Sequence, residues 1–405
     1  MSRRLAALAA LAALAPFPAT ATPTTSTSTV VTTPNTDSCP QRVTPPPAAD
    51  ESEAPKPGHT TPTPLPVPDV QPGGEKLQGC GMITPPGFAV PDGVTAAAWM
   101  VFDLDSGDIF ATKDPHGRYR PASVIKVLLA TQVIDRLTLT DTVTVKEEGL
   151  DQVEGSMAGI GPGGQYSVEQ LLQGLILNSG NDTAWALAQE LGGDQKTLGL
   201  INDYAVHTLG TTDTRVMSYD GLDRPGNSTS VYDLALMYSA ATQREEFVRL
   251  IGTQSVQFPG YKENPGFEMW TDNQLLLNDP TAIGGKTGYT DDARHSFFGA
   301  VNKDGHRLGA VILGGEVGSL RAWQMAQALL HATDPTTMTP VGQLTLAAAA
   351  QTPVPTVSPS PAPSQTPGAE PELNSALGFR LARYGIPVLI LVLVIVAGRT
   401  TMRRR

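Results

Sequence analysis

The sequence predicts an α+β domain between residues 85 and 335, on three observations. Short apolar runs joined by turn signals lie at both ends of that region, longer segments of helical periodicity lie between them, and chain of low complexity flanks it on either side.

Taken in order, the chain opens with Arg3 and Arg4, an apolar stretch over 5–15 and Ala19-Thr20-Ala21. That charged, apolar, small-residue order is the order of a secretory signal, so residues 1–21 are expected to be removed on export. Residues 22–84 are dominated by Thr, Pro, Ser and Ala with few large apolar side chains, a composition that reads as a tether. The two cysteines, Cys39 and Cys80, fall in that stretch, and in an exported protein they are expected to be bridged. Leu77-Gln78-Gly79-Cys80 resembles the end of a lipoprotein signal but lies far beyond the apolar segment that such processing needs.

Within the domain, residues 96–103 and 108–112 read as a β-hairpin turned by Asp105-Ser106-Gly107. A second hairpin, 296–301 with 307–313, turns through Lys303-Asp304-Gly305, and 282–288 reads as a strand beside it. Strands from both ends of the domain therefore form one antiparallel sheet around an inserted helical cluster. Residues 124–137 are apolar nearly all round, as in a buried helix. Ser167-Val168-Glu169-Gln170 is a capping box ahead of Leu171, Leu172, Leu175 and Ile176, which share one helical face. Further helices are expected from 183 to Gly192-Gly193, over 232–241, around Glu245 and Glu246, and over 320–331. The segment 273–277 before the last strands reads equally as a border of a groove or as a capped piece of core.

After the domain, 336–383 is a Pro-rich linker, 384–398 an apolar run expected to cross the membrane, and 399–405 a basic tail expected on the cytoplasmic side. The run is about 15 residues against the usual ~20, so Arg383 and Arg399 would snorkel to the interfaces. The net charge of −11 and the lack of a basic stripe disfavour nucleic acid as a partner. Six scattered histidines, His59, His116, His207, His295, His306 and His331, show no metal-ligand spacing, so neither a metal nor a cofactor is called for.

Three short motifs carry chemistry. Ser123 begins the buried helix with Lys126 three residues on, which brings nucleophile and base onto one face near the helix N-terminal N–H groups. Ser179-Gly180-Asn181 lies in a turn between helices. There Ser179 could relay a proton and Asn181 hold a substrate backbone, or Ser179 and Asp182 could simply cap the next helix. Lys286-Thr287-Gly288 ends a strand, where Lys and Thr can bind a carboxylate and Gly lets a substrate backbone approach.

In this order the motifs resemble those of the penicillin-recognising serine enzymes. The contexts Pro121-Ala122-Ser123-Val124-Ile125-Lys126, Asn178 to Asp182, and Gly284-Gly285-Lys286-Thr287-Gly288-Tyr289-Thr290-Asp291 are similar to the low-molecular-mass D-alanyl-D-alanine carboxypeptidases, and the layout of signal, tether, domain and anchor looks actinobacterial. The resemblance implies the transpeptidase fold shared by penicillin-binding proteins and β-lactamases. It also implies removal of the terminal D-alanine from peptidoglycan stem pentapeptides through an acyl-serine, and covalent inhibition by β-lactams. Ser123 would be the nucleophile, Lys126 its base, and Ser179 with Asn181 would complete proton transfer and substrate positioning. Lys286 and Thr287 would hold the terminal carboxylate beside Gly288, and the N–H groups of Ser123 and Tyr289 would form the oxyanion hole.

Two rivals remain on the sequence alone. A serine β-lactamase needs a second base, usually Glu on a loop, and the segment 221–227 offers Asp223 but no Glu. A non-catalytic wall-binding or penicillin-sensing protein could keep the fold, although intact Ser123 and Lys126 argue against it.

Overall fold

The computed structural model describes residues 33–346 apart from 56 and 317–319. The signal, the first part of the tether, most of the linker, the apolar run 384–398 and the basic tail lie outside the described residues. Among those described, no helix is long and apolar enough to cross a membrane.

In chain order the strands are β1 (Met82–Ile83), β2 (Ala98–Asp103), β3 (Asp108–Lys113), β4 (Thr142–Thr144), β5 (Gln165–Ser167), β6 (Ser255–Phe258), β7 (Phe267–Trp270), β8 (Ala282–Thr290), β9 (Arg294–Lys303), β10 (His306–Gly315) and β11 (Gly342–Gln343). The helices are α1 (Lys126–Arg136), α2 (Val168–Leu177), α3 (Asn181–Glu190), α4 (Asp194–Asp203), α5 (Val231–Ala241), α6 (Glu245–Ile251), α7 (Gln274–Asn278) and α8 (Ala322–Ala332). The main sheet runs β1-β3-β2-β10-β9-β8 with β11 also on β3, and its pairs are antiparallel. Strands from the two ends of the chain meet where β2 pairs β10, Val101 lying opposite Ala310.

Every residue of β2 is buried, because both faces of the sheet are covered. Ala98, Met100 and Phe102 join the core under the helical cluster, while Trp99 and Val101 join a smaller core under α8. Period-2 alternation thus sends successive side chains into two different cores. Helix α1 is the centre of the larger one, with residues 126–133 all buried. The predicted capping box forms, Ser167 Oγ accepting from the Gln170 N–H and Gln170 Oε1 accepting from the Ser167 N–H.

The structure extends the folded unit at both ends. Residues 33–84 read as a tether, but their described part is laid onto the domain: Leu77 is fully buried and Cys80 nearly so, and Cys39 is joined to Cys80 with Cα atoms 5.2 Å apart. The low apolar content does prevent this strap from making a core of its own; it is held by donors that the domain supplies. The buried Arg118 donates to the carbonyls of Val43 (2.9 Å), Leu65 (2.6 Å) and Pro66 (2.9 Å), and Arg120 donates to Pro46 O (2.7 Å). Lys113 Nζ donates to Pro34 O at 2.7 Å, and Arg215 to Thr63 O at 2.9 Å. A Pro-rich chain has carbonyls to spare and few N–H groups, so cationic donors are what it can use.

The domain also ends later than 335. Strand β11 pairs β3, Gly342 lying opposite Ile109, and the Thr345 N–H donates to the Tyr232 hydroxyl at 3.0 Å. Composition hid this because an edge strand of two residues carries no periodicity. Helix α4 with the π-helical turn Tyr204–Leu209, and the hairpin β6–β7, were likewise not read from the sequence. The segment 273–277 proves to be capped core: Asn273 Oδ1 accepts from the Leu275 N–H at 3.1 Å, and Leu275 is fully buried.

Candidate active site

Ser123 sits in a 3-10 turn, Ala122–Ile125, that runs directly into α1, rather than in the α-helix expected from the sequence. In a 3-10 turn residues i and i+3 eclipse, so the tighter winding aligns Ser123 with Lys126 better than an α-turn does. Ala122, just before the serine, has φ of 48°, a left-handed conformation that costs a non-glycine residue about 1–2 kcal/mol. Ser179 is held in the same region with φ of 56°. Strain at Ala122 and Ser179 is maintained by the packing around them.

Lys126 Nζ is fully buried and is the hub of the site. It lies 2.8 Å from Ser123 Oγ, 2.6 Å from Asn181 Oδ1, 2.7 Å from the Asp220 carbonyl and 3.4 Å from Ser179 Oγ. Burial, reinforced by the like charge of Lys286, lowers its pKa to about 7 against weaker opposing pulls from Asp220, Asp272 and Asp182. The free-base form of the amine is therefore accessible near neutral pH. A neutral amine has two N–H groups, which suit the Asn181 and Asp220 oxygens, and one lone pair, with which it can accept from the Ser123 hydroxyl.

The second motif joins α2 to α3 and also pins a loop beside it. Asp182, which the sequence offered as a possible helix cap, accepts from the N–H groups of Ala158 (2.8 Å), Gly159 (2.8 Å) and Ile160 (3.1 Å). Asn181 is only 3% exposed, and its Nδ2 donates to Glu154 O at 2.6 Å. Both ends of the Asn181 amide are thus engaged inside the protein, where the sequence reading had it holding substrate backbone. A buried Asn spends its hydrogen bonds on the nearest buried groups.

The third motif lies along β8, packed against the Ser123 turn. A Cβ placed on Gly288 would come 2.9 Å from the Ser123 nitrogen, and one on Gly221 would come 2.2 Å from the Ala122 oxygen. Only glycine permits these approaches. Lys286 is 1% exposed, donates to Thr287 O at 2.9 Å, and has its pKa lowered by burial with Asp272 opposing. Thr287 Oγ1 donates to Asp272 Oδ2 at 2.6 Å. Tyr289 has an exposed ring, and its hydroxyl donates to Asp291 Oδ1 at 2.9 Å.

The structure brings Ser123, Ser179 and Asn181 into hydrogen-bonding reach of Lys126 Nζ and sets Lys286, Thr287, Gly288 and Tyr289 on the strand beside them. Asp220, Gly221 and Asp272 were missed. Asp220 contributes a main-chain oxygen, which no residue pattern announces, whereas Gly221 could have been suspected from the turn-rich segment around it. Asp223, weighed as a second base, turns its Oδ1 to the Thr290 hydroxyl at 2.9 Å, and burial raises its pKa to about 6.

Residues 87–317 match the family described as D-alanyl-D-alanine carboxypeptidase, peptidase S11. The chain is 41% identical over 244 residues to D-alanyl-D-alanine carboxypeptidase DacB2 of Mycobacterium tuberculosis, covering 59% of this chain and 82% of that relative. It is 31% identical over 240 residues to DacD of Escherichia coli, where the match spans 60% of the relative's length. The crystal structure of a D-alanyl-D-alanine carboxypeptidase from M. tuberculosis superimposes with a TM-score of 0.60 at 37% identity, over 65% of this chain and all (100%) of that one. Penicillin-binding protein 6B of E. coli does so with a TM-score of 0.54 at 30% identity, over 62% and 80% of the two chains. The three motifs match this family, the observed sheet and helices carry the same architecture, and the chain belongs to the D-alanyl-D-alanine carboxypeptidase family of serine peptidases.

Proposed function

We propose that Ser123 attacks the carbonyl between the last two D-alanines of a stem pentapeptide while Lys126, as free amine, accepts its proton. The observation that carries this is the Lys126 nitrogen, stripped of water and placed 2.8 Å from Ser123 Oγ with its other contacts made to oxygen acceptors. The N–H groups of Ser123 and Tyr289 receive the oxyanion. As the tetrahedral adduct collapses, the C–N bond breaks, the leaving amine takes a proton through Ser179, and D-alanine departs with its carboxylate released from Lys286 and Thr287. Water then attacks the acyl-serine ester, freeing the shortened peptide and returning Ser123 and Lys126 to their starting states.

A β-lactam acylates the same serine, but its ring-opened amine stays tethered. The adduct therefore persists unless a second base activates water. The enzyme works outside the cell, exported by residues 1–21 and held to the membrane by 384–398, a reading that the sequence alone supports. The test is product analysis on a pentapeptide ending in D-Ala-D-Ala. D-alanine release with a long-lived penicilloyl adduct on Ser123, both lost in Ser123→Ala, is the expected result. Rapid penicillin turnover without D-alanine release would make the enzyme a β-lactamase, and neither reaction from a folded protein would make it a binding module.

A further inference from the structure

Asp272 stands between the second and third motifs, yet belongs to neither. It follows β7 and is exposed, so it lies within reach of solvent. Its main-chain N–H donates at 3.0 Å to the carbonyl of Leu177, the last residue of α2 and two residues before Ser179. Its side chain takes the Thr287 hydroxyl hydrogen at 2.6 Å. One residue therefore ties the second motif to the third.

Its charge is the unexpected part. The subsite formed by Lys286 and Thr287 is read as receiving an anion, and an aspartate beside such a subsite repels its ligand. Against that cost stand two buried lysines, Lys126 and Lys286, and the charge of Lys286 disfavours that of Lys126. Lys286 has to be cationic to hold a carboxylate, while Lys126 has to be neutral to accept a proton. An anion hydrogen-bonded to Thr287 favours the charge on Lys286, its neighbour along the strand.

We propose that Asp272 is a positioning residue for the leaving residue's subsite, fixing the Thr287 hydroxyl and setting a carboxylate beside the strand that carries Lys286. This rests on the reading of Ser123, Lys126 and Lys286 given above. The charged groups acting on Lys126 are Lys286, Asp220, Asp272 and Asp182, and the one acting on Lys286 is Asp272. Because Asp272 favours the cationic form of both lysines, removing its charge lets both lose their protons at lower pH. The acid limb of the rate profile, set by Lys126, and the alkaline limb, set by Lys286, then move toward acid together. A residue that merely braced the fold would lower the rate and leave both limbs where they were.

The experiment compares detergent-solubilised full-length wild type with Asp272→Asn and Asp272→Glu, following D-alanine release from the pentapeptide across pH. Asp272→Asn keeps an acceptor for Thr287 without the charge. It is expected to shift both limbs downward and to raise KM about tenfold on the alkaline side, the loss expected for one charge-assisted contact, with maximal kcat retained. Asp272→Glu is expected to restore the limbs. Limbs that stay in place in Asp272→Asn, or two variants that behave alike, would overturn the proposal, as would failure of both to fold. Absence of D-alanine release by wild type at every pH would instead overturn the functional reading beneath it.

Discussion

Asn181 Oδ1 lies 2.6 Å from Lys126 Nζ, nearer than the Ser123 hydroxyl at 2.8 Å or the Ser179 hydroxyl at 3.4 Å. The amide fixes where the lysine lone pair points, and being neutral it does so without stabilising the ammonium form. Asn181→Asp would place an anion against the amine and raise its pKa. Acylation by a fluorescent penicillin should therefore fall at neutral pH and recover as pH is raised; equal loss at all pH values would mean that the amide acts on substrate.

Lys126 itself sets the acid limb in the wild type. With its pKa lowered to about 7, the base is protonated and idle below that pH and free above it, so the acylation rate should climb through neutrality. Lys126→Ala should slow acylation by about 10²–10⁴-fold, the range for loss of a positioned general base, with the melting temperature as control for folding.

Two glycines test the close approach of β8 and of the 220–222 turn to the nucleophile. Gly288→Ala puts a methyl 2.9 Å from the Ser123 nitrogen, and Gly221→Ala adds one 2.2 Å from the Ala122 oxygen at a φ of 86°. Both should cut acylation at least about tenfold through displacement of the Ser123 turn, with Gly221→Ala the worse because backbone strain is added. Normal acylation in both would remove the packing argument.

The strap gives a stability prediction. Cys39→Ser with Cys80→Ser opens a loop spanning 41 residues and should cost about 2–4 kcal/mol in denaturant unfolding while D-alanine release persists. Arg118→Ala should cost about 3–5 kcal/mol, because it removes three strap contacts and leaves Asp213, to which Arg118 Nε donates at 3.2 Å, short of a buried partner. Alkylation of exported protein with mass measurement checks that the cysteines are not free.

Placement outside the cell is checked by truncation. A chain ending after residue 346 keeps β11 on β3 and should be recovered soluble and active, whereas the full chain should fractionate with membranes. Ending the chain at 335 should be less stable, since the edge of β3 loses its β11 partner. Full-length protein in the soluble fraction with its C-terminus intact would remove the anchor.

What the sequence determined by itself were the parts whose physics is local. The hairpin turns at Asp105-Ser106-Gly107 and Lys303-Asp304-Gly305, the capping box at Ser167, the apolar helix after Ser123 and the three motifs all announce themselves within a few residues. Turn chemistry, helical period and i,i+3 spacing operate over that range. The tertiary structure alone decided what depends on atoms far apart in the chain. It lowered the Lys126 pKa to about 7 by burying it near Lys286, and it turned Asn181 inward onto that lysine. It also brought the Asp220 carbonyl and Asp272 to the site and folded a Pro-rich strap onto Arg118. Composition reports how much apolar surface a segment can bury alone, and it is silent about donors that a distant part of the same chain will offer. A lysine's pKa is likewise a property of its surroundings, so the residue that names the chemistry could be read from the sequence while the charge state that enables it could not.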